Sequence, residues 1–143
     1  MGLDPTIWGP PAWMFLHSIA LNYPVNPTIK DKNNYRVFFE TLSNILPCNM
    51  CSKHFNKYIN ENPIDNYLND NISINKWLLN AHNNVNKLTG KKEIDYKEYL
   101  DIYKSIYENN IFNYKIFIIF IIVIIVLFVV YYKFNNLKYL LNL

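Results

Sequence analysis

Two cysteines make up the whole sulfhydryl content of this 143-residue chain, and they stand at Cys48 and Cys51, directly after Pro47. A pair at this spacing can close a small disulfide or supply half of a zinc site. Both uses require the two sulfurs to lie together at a helix start, where backbone N–H groups stabilise a thiolate. The spacing therefore predicts a helix that begins at the pair.

An apolar segment in the last third of the sequence divides the chain. Residues 116–132 contain no charged side chain and lie between Lys115 and Lys133. These roughly seventeen residues are at the short end of what spans a bilayer as a helix. They also lack the polar edge that a buried helix of a small protein shows. We expect a transmembrane helix over 116–132, preceded by a soluble domain over 1–108 and a linker over 109–115, and followed by a short tail over 133–143.

The first residues contain neither a basic start nor a long apolar run, so the sequence predicts no secretory signal peptide. A lone apolar segment near the C-terminus is then typical of a tail-anchored, single-pass membrane protein, whose soluble domain we expect to face the cytosol. All 11 acidic residues precede Lys115, and only three of the 14 basic residues do not. The soluble domain is therefore neutral and has no basic stripe, which excludes nucleic acid as an expected partner.

The soluble domain shows no sustained two-residue alternation of apolar and polar side chains, which favours an all-α fold. Proline, asparagine and glycine divide it into five expected helices, at about residues 10–22, 30–46, 48–62, 73–89 and 96–107. Ser73 is the expected N-cap of the fourth helix. The stripes expected to face the core are Tyr35, Phe38, Leu42 and Ile45 in the second helix, and Ile74, Trp77, Leu78, Ala81, Val85 and Leu88 in the fourth.

Four uses of the cysteine pair are open. A thioredoxin-like domain would place the pair after a strand, and the sequence predicts no strand. A zinc site would need two of His17, His54 and His82, which are scattered, whereas zinc knuckles combine two close ligand pairs. A structural disulfide over so short a loop would constrain the unfolded chain little.

The fourth use is a catalytic disulfide, which a second redox centre must recycle. Because the chain has no further cysteine, that centre must be a cofactor or a partner. Trp13 and His17 lie one helical turn apart, as do His82 and Asn86, so each pair can present a ring edge and a hydrogen bond to a planar cofactor.

Four motifs in order resemble the Erv/ALR family of FAD-linked sulfhydryl oxidases, over about residues 6–107. They are Trp8-Gly9-Pro10-Pro11-Ala12-Trp13-Met14-Phe15-Leu16-His17; Tyr23-Pro24 with Pro27-Thr28; Cys48 to His54-Phe55; and Trp77 with His82-Asn83-Asn84-Val85-Asn86 and Gly90-Lys91. The resemblance implies a compact bundle of four helices plus a short fifth, a homodimer, and FAD beside the cysteine pair.

The same resemblance implies the roles of individual residues. Cys48 and Cys51 are the catalytic pair, with Cys48 attacked by the substrate and Cys51 against the flavin. The positions that match FAD contacts are Gly9, Trp13, His17, His82, Asn83, Val85, Asn86 and Lys91, and Tyr103 falls where many members carry a tryptophan. Leu46 replaces the tyrosine often found before the Pro-Cys step, and no metal site is implied.

The implied function is an FAD-dependent thiol oxidase that forms disulfides in partner proteins. Electrons would pass from a substrate dithiol through Cys48 and Cys51 to FAD and then to O2, with H2O2 as the product. The chain lacks the shuttle CxxC and the subunit-bridging cysteines of many members. It thus resembles the minimal oxidases of large DNA viruses, which work with a small thioredoxin-like or CxC-bearing partner, and its anchor would then enter a host-cell or virion membrane.

An alternative function comes from a different class. The chain would then be a membrane-anchored helical interaction module, whose cysteine pair forms a structural disulfide or binds zinc.

Overall fold

The computed structural model describes the backbone of residues 2–140 and the side chains of residues 2–108 and 114–136. It contains five α-helices: α1 Pro5–Leu21, α2 Ile29–Ile45, α3 Asn49–Glu61, α4 Asn71–Leu88 and α5 Tyr96–Leu140. A single 3-10 turn, Ile64–Tyr67, separates α3 from α4. No strand occurs in the part of the chain described, and the all-α prediction is confirmed.

The helix starts are fixed by side-chain caps, and two of them differ from the sequence prediction. Asp4 accepts hydrogen bonds from the N–H and the hydroxyl of Thr6, so α1 begins at Pro5 and runs through Pro10 and Pro11 instead of starting there. Asp70, not Ser73, caps α4, because its carboxylate accepts from both the N–H and the hydroxyl of Ser73.

The core forms around α4, where α1 packs against α4 and α2 against α3. Trp77 is fully buried, with the rings of Phe39, Phe55 and Tyr58 around it. Its carbonyl accepts a hydrogen bond from Tyr58 Oη at 2.8 Å, and its Nε1 donates to Asn62 O at 2.9 Å. These two bonds fix α3 to α4 and therefore fix the helix that carries the cysteine pair.

The predicted core stripe of α4 is confirmed at Ile74, Trp77, Leu78 and Ala81, whereas its last member, Leu88, is exposed. The stripe predicted for α2 is wrong, because its most buried residue is Phe39 and not the neighbouring Phe38. Phe39 is the fully buried residue, Tyr35, Phe38 and Leu42 are only partly buried against the core, and Ile45 is exposed.

The chain forms two compact units that divide between Tyr96 and Lys97. In the second unit α5 continues to Leu140, so the predicted end of the fifth helix at 107 is wrong. The division into a domain over 1–108, a linker over 109–115 and a membrane segment over 116–132 stays a prediction. No proline or glycine lies between Tyr96 and Leu140, and asparagine alone does not end a helix. Within α5, the segment Tyr114–Asn136 contains a stretch of 18 residues with a mean hydropathy of 3.0 and is long and apolar enough to cross a membrane. Its side chains are exposed throughout.

Candidate functional site

Cys48 and Cys51 form a disulfide at the start of α3, with their Cα atoms 5.2 Å apart. Cys48 is the N-cap residue of the helix, and its Sγ accepts a hydrogen bond from the Cys51 N–H at 3.1 Å. Both cysteines are half-buried. The predicted helix start at the pair is confirmed, and Cys48 Sγ faces the positive end of α3.

Trp13 and His17 on α1 meet His82 on α4. The Trp13 and His82 rings are stacked, with centroids 4.1 Å apart and planes at 7°. His17 Nε2 lies 3.0 Å from His82 Nδ1, and the Trp13 and His17 centroids are 5.7 Å apart. We call Trp13, His17 and His82 the ring cluster; it is the part of the predicted site that the structure brings into direct contact.

Both imidazoles of the ring cluster are neutral at pH 7. Burial, and secondarily the His82 ring, lower the pKa of His17 from 6.5 to about 3. Burial, and secondarily the Lys91 ammonium, lower the pKa of His82 from 6.5 to about 4. A neutral pair can share one hydrogen bond, because one ring nitrogen donates and the other accepts.

Gly9 lies one helical turn before Trp13 on α1, so it shares a face with Trp13 and His17. A Cβ built at Gly9 meets no atom within 4 Å, which means that the space next to this position is open. The surface of α1 is therefore open at Gly9, on the face that also carries Trp13 and His17.

Three further residues predicted to bind a cofactor, Val85, Asn86 and Lys91, lie at or just after the C-terminal end of α4. Asn86 lies one turn after His82 and is buried, while Val85 is half-buried. The Asn86 carbonyl accepts from the Lys91 N–H at 2.8 Å, a turn that Gly90 permits with its positive φ of 69°. The Lys91 side chain is exposed.

Asn83 has a contact that the sequence did not reveal. Its amide nitrogen donates to Ile94 O at 2.7 Å, and its amide oxygen accepts from the Ile94 N–H at 3.1 Å. The side chain thereby attaches the segment after Gly90 to α4. No local pattern signals this pairing, since it joins a helix to a loop through backbone groups.

Tyr103 belongs to the second unit, on α5, where its ring centroid lies 5.1 Å from that of Tyr99. Its predicted contact with a cofactor stays a prediction. Among the described side chains, no group of three or more His, Cys, Asp or Glu residues is arranged to hold a metal ion. The zinc alternative thus finds no ligand set in this part of the chain.

The chain is similar in sequence to proteins of a known family. The family model of the Erv1/Alr family matches residues 10–105. The chain is 38% identical over 100 residues to a probable FAD-linked sulfhydryl oxidase of Acanthamoeba polyphaga mimivirus, a match that covers 69% of this chain and 70% of the relative. It is 39% identical over 87 residues to the mitochondrial FAD-linked sulfhydryl oxidase ERV1 of Saccharomyces cerevisiae, covering 61% of this chain but only 45% of the relative.

The fold is also similar to solved structures. A crystal structure of the FAD-binding domain of Erv1 from Saccharomyces cerevisiae superposes with a TM-score of 0.62 at 38% sequence identity, covering 65% of this chain and 87% of that one.

Proposed function

The chain belongs to the Erv1/Alr family, and we propose that it is an FAD-dependent sulfhydryl oxidase that forms disulfides in partner proteins. The observation that carries the proposal is a disulfide at a helix N-terminus in the same small helical unit as the neutral ring cluster, in which Trp13 and His82 are stacked. The disulfide can accept an electron pair from a substrate dithiol, and the ring cluster offers a place for a planar cofactor. Named relatives of both viral and mitochondrial origin support it.

The residues present fit FAD. Gly9 leaves the surface of α1 open one turn before Trp13, and we propose that a planar cofactor lies on this face of the helix. The low pKa values of His17 and His82 keep these rings neutral, so they can donate or accept hydrogen bonds without adding charge.

Lys91 provides an exposed cation for phosphate groups, next to the buried Asn86. We assign cofactor binding to these residues together with Val85 and Asn83, and to Tyr103 by the family resemblance. When bound, FAD accepts an electron pair from a dithiol and passes electrons on to O2, giving H2O2.

The cysteine pair performs the first half of the reaction. A substrate thiolate attacks Cys48 Sγ, a new bond forms between the substrate sulfur and Cys48, and the Cys48–Cys51 bond breaks with its electron pair on Cys51. The second substrate thiolate then attacks the substrate sulfur of this mixed disulfide. Cys48 leaves as a thiolate, the substrate leaves as a disulfide, and the two thiol protons go to solvent.

The hydrogen bond from the Cys51 N–H explains why Cys48 is suited to this role. It reaches Cys48 Sγ at 3.1 Å and lies at the positive end of α3, where a thiolate is stabilised. This hydrogen bond therefore makes it easier for Cys48 to leave as a thiolate in the second attack. Cys51 then holds the electron pair that the cofactor accepts.

The partners follow from the cysteine count. Because Cys48 and Cys51 are the only cysteines, the substrate must reach Cys48 directly, and we propose a thiol-bearing protein such as a small thioredoxin-like or CxC carrier. We further propose that residues 1–108 act as the oxidase domain on the cytosolic side, as a homodimer. Tyr114–Asn136 would anchor this domain in a membrane.

The test uses the full-length chain purified in detergent. The proposal predicts a yellow protein with a flavin absorption spectrum, which consumes O2 and releases H2O2 when dithiothreitol is added. A colourless protein that is folded, helical and contains stoichiometric zinc would instead support the interaction-module alternative.

A further inference from the structure

The first residues of the chain lie against the loop that leads into Cys48. The Leu3 N–H donates a 2.7 Å hydrogen bond to the carbonyl oxygen of Pro47, the residue immediately before Cys48. The Leu3 carbonyl accepts a hydrogen bond from Trp8 Nε1 at 3.2 Å. We call residues 2–4 the N-terminal strap. It is bonded to the cysteine loop on one side and to α1 on the other.

Gly2 shows how closely the N-terminal strap approaches this loop. A Cβ at Gly2 would lie 2.9 Å from Cys48 Cα and 2.9 Å from Pro47 O. Both are backbone atoms, which cannot turn aside as the end of a long side chain can. Glycine is therefore required here unless the strap or the loop moves, because only glycine allows so close an approach of two backbones.

The Pro47–Cys48 peptide controls where Cys48 Sγ points. Cys48 caps α3 with an extended backbone, at φ −146° and ψ 114°, and its Sγ accepts from the Cys51 N–H. A rotation of the preceding peptide would change the direction of the Cys48 side chain and lengthen this hydrogen bond. The bond from the Leu3 N–H to the Pro47 carbonyl acts on this same peptide and therefore restrains its rotation.

We propose that the N-terminal strap is a positioning element for Cys48: Gly2 and Leu3 hold the Pro47–Cys48 peptide so that Sγ meets the Cys51 N–H when Cys48 leaves as a thiolate. This rests on the thiol-oxidase function proposed above. It adds residues outside the family motifs to the machinery of the disulfide. Their action passes through the backbone of Cys48, so they are positioning residues.

The main test is Gly2→Ala in the full-length chain. The added Cβ displaces the strap, the thiolate of Cys48 loses stabilisation, and the pKa of the Cys48 thiol rises. The rate at which dithiothreitol reduces the bound flavin should fall about five-fold. This is the change in rate that corresponds to the loss of one typical hydrogen bond of about 1 kcal/mol.

The pKa is read from the pH dependence of Cys48 alkylation by iodoacetamide, in a Cys51→Ser background that keeps the N–H of residue 51. This readout needs no turnover. A strap that only stabilised the fold would leave it unchanged.

Two further variants complete the test. Trp8→Phe keeps an aromatic ring but removes the Nε1–H that holds Leu3, and we expect a smaller rise in the Cys48 pKa. Ile7→Ala changes a side chain on α1 that is 76% exposed and lies outside the strap, so it is the matched control and should have the wild-type pKa. If Gly2→Ala does not fold, Trp8→Phe carries the test.

A higher Cys48 pKa in either Gly2→Ala or Trp8→Phe, with the pKa of Ile7→Ala unchanged, supports the proposal. An unchanged pKa in both strap variants overturns it, and so does an equal rise in Ile7→Ala. Failure of the thiol-oxidase function looks different. In that event the wild-type chain itself binds no flavin and consumes no O2, while Cys48 alkylation can still be followed.

Discussion

His17 and His82 share a hydrogen bond, with Nε2 of the first ring 3.0 Å from Nδ1 of the second, and this bond joins α1 to α4 within the ring cluster. One ring must donate and the other must accept. Two protonated rings would bring two N–H groups and two positive charges together. The same low pKa values that keep the pair neutral therefore make the junction sensitive to acid.

The free energy of unfolding should decrease as the pH is lowered, because of this histidine pair. The unfolded state binds protons at both histidines near pH 6.5, whereas the folded state binds them only near pH 3 for His17 and near pH 4 for His82. The contribution is complete above pH 6.5 and is lost as the pH falls toward these values, at about 1.4 kcal/mol per pH unit for each proton. Urea unfolding followed by tryptophan fluorescence between pH 7.5 and 4.5 measures this slope.

His82→Phe is the control for this prediction, since it keeps a flat ring next to Trp13 but removes one titrating group. The slope below pH 6.5 should fall to about half of the wild-type value, because one proton fewer is bound on unfolding. A wild-type slope in this variant would show that other groups cause the acid sensitivity.

Cofactor retention should depend on His82 more than on His54. His82→Ala removes both the stacked ring on Trp13 and the hydrogen bond to His17. We expect FAD to dissociate about ten-fold more readily, from the loss of one aromatic stack and one hydrogen bond. The ratio of flavin to protein absorbance after dialysis measures it. His54→Ala, at an exposed position on α3, is the matched control and should retain FAD as the wild type does.

The two cysteines should be separable by substitution. Cys51→Ser should keep FAD but abolish turnover. Its free Cys48 thiolate should attack the disulfide of the oxidised partner, form a mixed disulfide and release the other partner sulfur as a thiolate, and no second sulfur of this chain can then resolve the complex. Mass spectrometry of the trapped complex then identifies the electron donor. Cys48→Ser should trap no substrate. Full activity of Cys51→Ser would refute the assigned order of attack.

Sequence periodicity predicted the elements better than their ends. The stripe of α4 and the core position of Trp77 followed from a clear helical repeat, and both are confirmed. The predicted starts of α1 and α4 were wrong. Asp4 and Asp70 cap these helices through side-chain hydrogen bonds, which the hydrophobic periodicity of the sequence does not indicate.

The site shows the same limit. Motif spacing pointed to Trp13, His17 and His82. Trp13 and His17 fall on one face of α1, and the packing of α1 against α4 brings His82 into contact with both rings. The bonds from Asn83 to Ile94 and from Leu3 to Pro47 could not be predicted. Both join a residue to a backbone group of a different element, so they depend on tertiary packing and leave no local pattern.

Asn83 should contribute to stability through its two bonds to Ile94. Asn83→Ala removes both, so the free energy of unfolding should fall by about 1–2 kcal/mol. Asn84→Ala is the matched control, because Asn84 is an exposed neighbour on the same helix and gains the same helix propensity on substitution. The difference between the two variants in urea unfolding isolates the Asn83 bonds, and equal values would contradict this assignment.

Membrane association should depend on the apolar part of α5. Ile121 and Ile125 lie one turn apart near the middle of Tyr114–Asn136, and both side chains are exposed. Replacing both by lysine should cost about 2.5–3.5 kcal/mol of insertion free energy for each charge, enough to move much of the protein out of the membrane fraction. Flotation of the full-length chain with lipid vesicles measures the bound share.

Replacing the same two residues by leucine is the control, because it preserves the apolar surface and should leave flotation unchanged. The flavin spectrum of the double-lysine variant shows whether its oxidase domain is still folded. A double-lysine protein that keeps its flavin and floats as well as the wild type would mean that another surface holds the chain to lipid. Loss of flotation with the flavin retained would mean instead that α5 is the anchor, and that the oxidase domain does not require the membrane to fold.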